Sequence, residues 1–180
     1  VLKDPGKWPD NIKSWMNESL SANLVGAGAG GIRQAGRGLL FGGDTIGKLW
    51  TSISNKFTRL EPGDETNLIV YVFAGVGGGT GSGTIVDIPY IVREIARKAG
   101  WAIKVYGYIF LPDTYNVERN SAPHIEKNSY AALQEIDSLM NLDNMQGAGH
   151  FKAFYAPDYV IDSTDNIFES CVLVSGKRRT

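Results

Sequence analysis

The chain predicts an α/β fold on a mainly parallel sheet, and three observations carry that expectation. Two apolar runs rich in β-branched and aromatic residues, 68–74 without a charge and 101–111, read as strands of a sheet, the first of them buried. Between them Ile85, Ile88, Ile91, Val92, Ile95 and Ala96 recur at helical spacing, with Arg93, Glu94, Arg97 and Lys98 on the wetter side. Gly75-Val76-Gly77-Gly78-Gly79-Thr80-Gly81-Ser82-Gly83 joins the first strand to that helix, six glycines in nine positions. Strand, helix and strand in this order call for right-handed crossovers and a sheet covered on both faces.

The remaining elements follow along the chain. Trp8, Ile12, Trp15, Met16 and Leu20 are spaced for a helix over 8–20, with Asp10 and Asn11 near its start. Residues 31–41 open a second helix out of the turn Gly28-Ala29-Gly30-Gly31. Gly42-Gly43 breaks it, and Asp44 caps a third helix to about residue 58. Glu61-Pro62-Gly63-Asp64 is a turn. In the helix after the glycines, Pro89 falls in the first turns, where its missing N–H matters least, and Gly100 closes the end. A long helix over 123–142 takes Ile125, Tyr130, Leu133, Ile136 and Met140 as its buried face. Residues 151–155 make a short strand, and 168–175 a better one.

Composition bounds the function. The 180 residues suffice for one domain with a sizeable core, and 43% hydrophobic with 21% charged residues fits a globular chain. A formal net charge of −1 gives no general attraction to nucleic acid or anionic membrane. No apolar run is long enough for membrane insertion, so a cytoplasmic protein is the expectation. Cys171 has no partner for an internal disulfide and reads as a small hydrophobe; His124 and His150 have no metal-ligand spacing.

The glycine segment points to phosphate. Glycines let a backbone approach a ligand closely, and a helix opening there turns its first N–H groups and positive dipole end toward an anion. Thr80 and Ser82 add hydroxyls that either donate to phosphate oxygens or cap the helix. No lysine follows, which excludes a P-loop, and a dinucleotide fingerprint starting at Gly77 and Gly79 fails at Ser82. In a parallel sheet ligands sit beyond the carboxyl ends of the strands. The glycine segment, the Leu111-Pro112-Asp113 turn and Ser175 share that edge.

Gly77-Gly78-Gly79-Thr80-Gly81-Ser82-Gly83 resembles, over seven positions, the glycine loop of the tubulin/FtsZ superfamily of polymerising GTPases. Upstream, Gly28-Ala29-Gly30-Gly31 followed by Gly36-Arg37 resembles that superfamily's terminal-phosphate loop, with Ile32-Arg33 where the pattern has Asn-Pro. Asp113 at the end of a strand, and Asn128-Ser129-Tyr130-Ala131-Ala132-Leu133 opening a helix, are similar to its ribose-side loop and following helix. The likeness is greatest to divergent bacterial tubulin-like proteins. It implies a Rossmann-like three-layer sandwich over 1–180, a single partial domain lacking the family's first strand and the region after residue 180. It also implies GTP or GDP as ligand, with Mg2+ as its companion ion. The implied nucleotide-binding residues are Gly28, Ala29, Gly30, Gly31, Gly75, Gly77, Gly78, Gly79, Thr80, Gly81, Ser82, Gly83 and Asp113.

The resemblance further implies that hydrolysis is completed by an acidic loop of the neighbouring subunit, an element this chain stops short of. Asn141-Leu142-Asp143 is similar to its start but falls too early. An internal piece of a larger protein is therefore expected, and self-association with it. Two functions stay open: the GTP-binding domain of a polymerising GTPase, or a tubulin-like assembly or scaffold module that does not hydrolyse nucleotide. A dinucleotide-dependent oxidoreductase is a third, without an acidic residue to support it.

Single residues carry paired expectations. Arg33 and Arg37 either neutralise a terminal phosphate or line an exposed helix face. Asp87 either compensates a helix dipole or sits near a metal; Asp113 either accepts from a ribose hydroxyl or caps its turn. Glu118 and Arg119 either reach the ribose or are solvated, and Asp158, Asp162 and Asp165 form a wet loop. Trp8, Trp15, Trp50 and Trp101 pack the core.

Overall fold

The computed structural model describes residues 4, 8, 10–19, 29–41, 43–60, 67–114, 124–142 and 149–177. Gly28, the turn at 61–64, Glu118, Arg119 and Asp143 lie outside these residues. In chain order the elements are α1 (Asp10–Lys13), α2 (Arg33–Gly38), α3 (Gly43–Phe57), β1 (Asn67–Gly75), α4 (Gly79–Thr84) and α5 (Ile88–Lys98). They continue with β2 (Ala102–Phe110), α6 (Ile125–Leu139), β3 (Phe151–Ala156), β4 (Tyr159–Ser163) and β5 (Ser170–Val174). Short 3-10 turns follow α2 at Leu39–Phe41 and β2 at Pro112–Thr114.

The sheet has the order β1-β2-β5, parallel throughout, with Asn67 opposite Ala102 and Tyr106 opposite Ser170. With helices packed on it, this is the Rossmann-like α/β class that the alternation of strand and helix predicts. An antiparallel hairpin, β3 against β4, interrupts the return from α6 to β5. That hairpin places β4 where the acidic stretch reads as a loop. Alternation explains it: Ile161 is buried while Asp162 faces out, held by His150 (2.8 Å) and Lys152 (3.1 Å).

One core runs through the described elements. Val105 and Ile109 of β2 meet Tyr90, Ile91 and Ile95 of α5, with Ile46 of α3, Phe168 and the hairpin's Phe151 and Tyr155. Tyr90 and Phe151 stack with ring centroids 4.1 Å apart. Each such fully buried apolar side chain contributes about 1.5–3 kcal/mol. Trp8 is buried, and Trp15, Trp50 and Trp101 pack around the cluster, as expected. The first helix is shorter than its spacing suggests. Among the described residues of this segment only Asp10–Lys13 is α-helical, although the chain still buries Trp8, Ile12 and Met16.

The reading of 68–74 as wholly buried is corrected. Leu68, Val70, Val72 and Ala74 turn toward the core, whereas Ile69, Tyr71 and Phe73 are 58, 53 and 64% exposed. The outward side chains form a ladder with β2. Tyr71 lies 5.8 Å from Tyr106, and Phe73 stacks on Tyr108 at 4.9 Å. The strand is apolar on both sides, yet the described helices cover one of them.

A second correction concerns the glycine segment, which is helical from Gly79 onward. Glycine is a poor helix former, so something else must hold α4 together. The answer is proximity to α2. A Cβ at Gly36 would lie 2.1 Å from the Gly79 carbonyl oxygen, and one at Gly83 would lie 2.4 Å from that of Arg33. On the other side, a Cβ at Gly81 would lie 2.3 Å from the Gly75 carbonyl oxygen. The helix stops early because Pro89 has no N–H to continue the ladder; residues 85–87 turn and α5 begins with Pro89 in its first turn. Gly36→Ala should therefore lower stability by about 1–3 kcal/mol, the usual penalty of overpacking, read as a shifted urea midpoint at unchanged slope.

Candidate functional site

Two glycine loops meet at the mouth of the sheet. The first is a turn, Ala29-Gly30-Gly31-Ile32, closed by the Ile32 N–H donating to the Ala29 carbonyl at 2.8 Å. Both central residues have positive φ, +55° at Gly30 and +77° at Gly31, which side chains rarely tolerate. Ile32 then caps α2 by position, and the Gly36 N–H reaches its carbonyl. The second loop runs from Gly75 at the end of β1 through Val76, Gly77 and Gly78 into α4. The loops touch: a Cβ at Gly79 would lie 2.6 Å from the Ile32 nitrogen and 2.7 Å from the Ala29 Cβ.

The predicted site residues divide in two. Gly79, Gly81 and Gly83 are needed for packing. Gly30, Gly31 and Gly78 face open space, with nothing within 4 Å of a Cβ added there. The amides of a helix's first turn have no partners within the helix. Thr80 is exposed, but Ser82 is not available to a ligand: its buried hydroxyl donates to the Gly78 carbonyl. Helical geometry brings Ser82 over the preceding turn, where a hydroxyl bonds back to the i−4 carbonyl.

Both arginines are committed elsewhere, and neither reading of them stands. Arg33 makes a bidentate pair with Glu135 of α6 (3.0 and 2.6 Å) and donates from Nε and Nη2 to the Ser82 carbonyl. Arg37 pairs with Asp87 through Nε (2.9 Å) and Nη2 (3.0 Å), its guanidinium 5.3 Å from the Trp15 ring. Asp87, fully buried, also accepts from the Tyr155 hydroxyl at 2.7 Å. It makes no side-chain cap on α5, and among the described residues no three His, Cys, Asp or Glu cluster for a metal. Burial pushes the Asp87 carboxyl above its ordinary range, against the pull of Arg37 and Tyr155. Burial, then the nearby carboxylate, drives the Tyr155 phenol far up, so it stays a donor.

Beyond the carboxyl ends of β1, β2 and β5 lies an open cleft of about 710 Å³, lined by Gly75, Phe110, Asp113, Thr114, Val174, Ser175 and Gly176. Gly75 belongs to both the cleft and the second loop, so the two are continuous. Asp113 accepts from the Ser175 hydroxyl at 2.5 Å, a bond that holds its carboxyl below the usual range, with help from the Gly176 and Lys177 amides. It thus ties the end of β2 to the end of β5 as an ionised acceptor.

One residue at the site was not legible as a site residue. Asn128 is only 8% exposed, and its Nδ2 donates to the Gly31 carbonyl (2.6 Å) and the Gly77 carbonyl (3.0 Å). The predicted buried face of α6 holds at Ile136, with Leu133 and Met140 packed against the core, and fails at Tyr130. Asn128, Ser129, Ala132 and Ile136 face in, while Tyr130 is 66% exposed. The missed signal is a polar residue one turn from Ala132 on the inner stripe. For the Asp87 network, Tyr155→Phe should cost about 1.5–3 kcal/mol, the value of a hydrogen bond to a charged group, in urea unfolding.

Comparison with known proteins bears on this arrangement. A family model described as tubulin like matches residues 3–179. The cell division protein FtsZ 2 of Haloferax volcanii is 33% identical over 135 residues, covering 71% of this chain and 31% of the relative. FtsZ 2 of Halobacterium salinarum is 33% identical over 134 residues, covering 71% and 32%. These relatives are archaeal and do not bear out the expected leaning to bacterial tubulin-like proteins. No solved structure matches, and no helix among the described residues is long and apolar enough to cross a membrane. On the family match over nearly its whole length, the chain belongs to the tubulin-like family, as part of a tubulin/FtsZ superfamily domain.

Proposed function

We propose that residues 1–180 are the guanine-nucleotide-binding domain of a tubulin/FtsZ-like polymerising GTPase of the cytoplasm, taking GTP or GDP across the two glycine loops. The observation that carries this reading is Gly78. Its φ of −83° is open to any residue and a Cβ there would meet nothing among the described residues, so glycine at this N-cap keeps the backbone clear for the approach of an outside group. The phosphates lie against the backbone of Gly28 to Gly31 and of Gly77 to Gly81, held by N–H groups and the α4 dipole. The nucleoside enters the cleft, where the Asp113 carboxylate is a ready acceptor for a ribose hydroxyl. Bound Mg2+ supplies charge neutralisation on the phosphate oxygens, the usual manner of that ion at polyphosphates.

A second reading has its own observation. Among the described residues, the carboxylates of Asp87, Glu135 and Asp113 are all engaged by partners within the chain. None is placed to activate water, which favours a module that binds nucleotide and assembles without hydrolysing it. Under the first reading the next subunit completes hydrolysis. Self-association belongs to both, and the exposed Ile69, Tyr71 and Phe73 face gives apolar area for it.

Calorimetric titration with GTP, GDP and ATP, with and without Mg2+, tests the nucleotide. Gly78→Ala is the informative variant, because it leaves the unfolding midpoint unchanged or slightly raised while lowering guanine-nucleotide affinity at least about tenfold. Gly79→Val would confuse the two effects, since its side chain collides with Ile32. Wild-type chain that binds no nucleotide sinks the proposal. Phosphate release from the bound triphosphate separates the readings. Light scattering should find dimers or larger species, and a well-behaved monomer at all concentrations removes self-association.

A further inference from the structure

Asn128 joins the backbones of the two loops through one side chain. Its amide nitrogen carries two hydrogens, and each is used: one on the Gly31 carbonyl of the first loop, one on the Gly77 carbonyl of the second. The side chain is buried, and its own backbone is fixed one turn into α6 by the Asn128 N–H donating to the His124 carbonyl at 2.8 Å. The donor is therefore held by a rigid element.

The consequence follows from peptide geometry. In a trans peptide the carbonyl and the next N–H point to opposite sides. Drawing the Gly77 carbonyl to Asn128 turns the Gly78 N–H away from Asn128, and a Cβ at Gly78 meets nothing within 4 Å among the described residues. Drawing the Gly31 carbonyl inward turns the Ile32 N–H toward Ala29, the bond that closes the first turn. One amide group thus aims a donor of the second loop and locks the shape of the first. No other side chain among the described residues is seen bonding to both loops.

We infer that Asn128 is a positioning residue that fixes the spacing of the two loops and thereby sets the length of anionic chain the site accepts. This deepens the nucleotide reading and rests on it. An anion long enough to span both loops depends on their spacing, whereas one that touches a single loop does not. Asparagine is required because the task takes two donors from one short side chain. Aspartate, of the same shape, presents only acceptors to the two carbonyls and pushes them away.

The test uses the whole 180-residue chain and compares Asn128→Asp with wild type by titration with guanosine tri- and monophosphate. Ser129→Ala, next to it on the same buried face, is the control. Asn128→Asp should weaken the triphosphate about 10- to 100-fold and the monophosphate by less than about threefold, because only the longer anion senses the spacing. In nitrogen–proton spectra without ligand, the Gly78 and Ile32 amide resonances should move in Asn128→Asp and stay in Ser129→Ala. Equal losses for both ligands, or unmoved amides, overturn the inference while leaving nucleotide binding intact. Wild-type chain that binds neither ligand overturns the nucleotide reading and this one with it. Should Asn128→Asp not fold, the wild-type Asn128 side-chain amide resonances decide the matter. They should shift on saturation with triphosphate and not with inorganic phosphate, and resonances unmoved by triphosphate overturn the inference.

Discussion

The contact between α2 and α4 is the constraint on which the rest of the structure depends. Each helix springs directly from one glycine loop, so the distance between helices is the distance between loops. At Gly36 and Gly79 that distance leaves no room for a methyl group, and at Gly83 the α2 backbone itself fills the space. The sequence of α4, Gly-Thr-Gly-Ser-Gly-Thr, would not hold a helix alone, since each glycine costs about 1 kcal/mol relative to alanine. Close packing and the Arg33 bonds to the Ser82 carbonyl supply what propensity lacks. The loop geometry is therefore a tertiary property.

Around this contact the charged groups tie α2 to its surroundings. Arg33 reaches α6 through Glu135, and Arg37 reaches the turn before α5 through Asp87, which Tyr155 connects to the hairpin. Buried pairs of this kind add little net stability, because desolvation offsets the attraction, yet removing one partner leaves a charge stranded. Their effect is to allow one arrangement of α2 and no other. They also withdraw both arginines from the loops. Any anion held there meets oriented amides and a helix dipole, with no guanidinium among the described residues aimed at it.

The fold class was legible because it rests on periodicity. Residues 68–74 and 101–111 show their strand-length apolar runs, and the stripe from Ile85 to Ala96 its helical period, without help from the rest of the chain. The placement of the two glycine loops was legible too, since Gly30, Gly31 and Gly78 stand at strand or helix ends, the edge of a parallel sheet at which a ligand is expected. What stayed hidden depends on distant partners. Nothing local tells that Arg37 meets Asp87, fifty residues on, or that Asn128 faces inward because two carbonyls await it. Asp162 in β4 was hidden for the opposite reason. A short strand with charges on its outer side has the composition of a loop. The exposed Tyr71 and Phe73 show a further limit: an apolar pattern reports what a strand is suited to bury, whereas exposure depends on what packs there.

A run of glycines is weak support for a ligand when the fold itself demands glycine, and here it often does. Gly36, Gly79, Gly81 and Gly83 are required by neighbouring backbone, and Gly30 and Gly31 by positive φ. A binding argument that counts them counts the same constraint twice. Gly78 is different, because neither crowding nor backbone angle requires it. Alanine there would even reduce the entropy of the unfolded chain and favour folding slightly. A glycine that the folded chain does not need, between two loops held at fixed spacing, is explained by a surface kept clear for something else. That reasoning separates the ligand from the fold at a single residue, where the motif as a whole cannot.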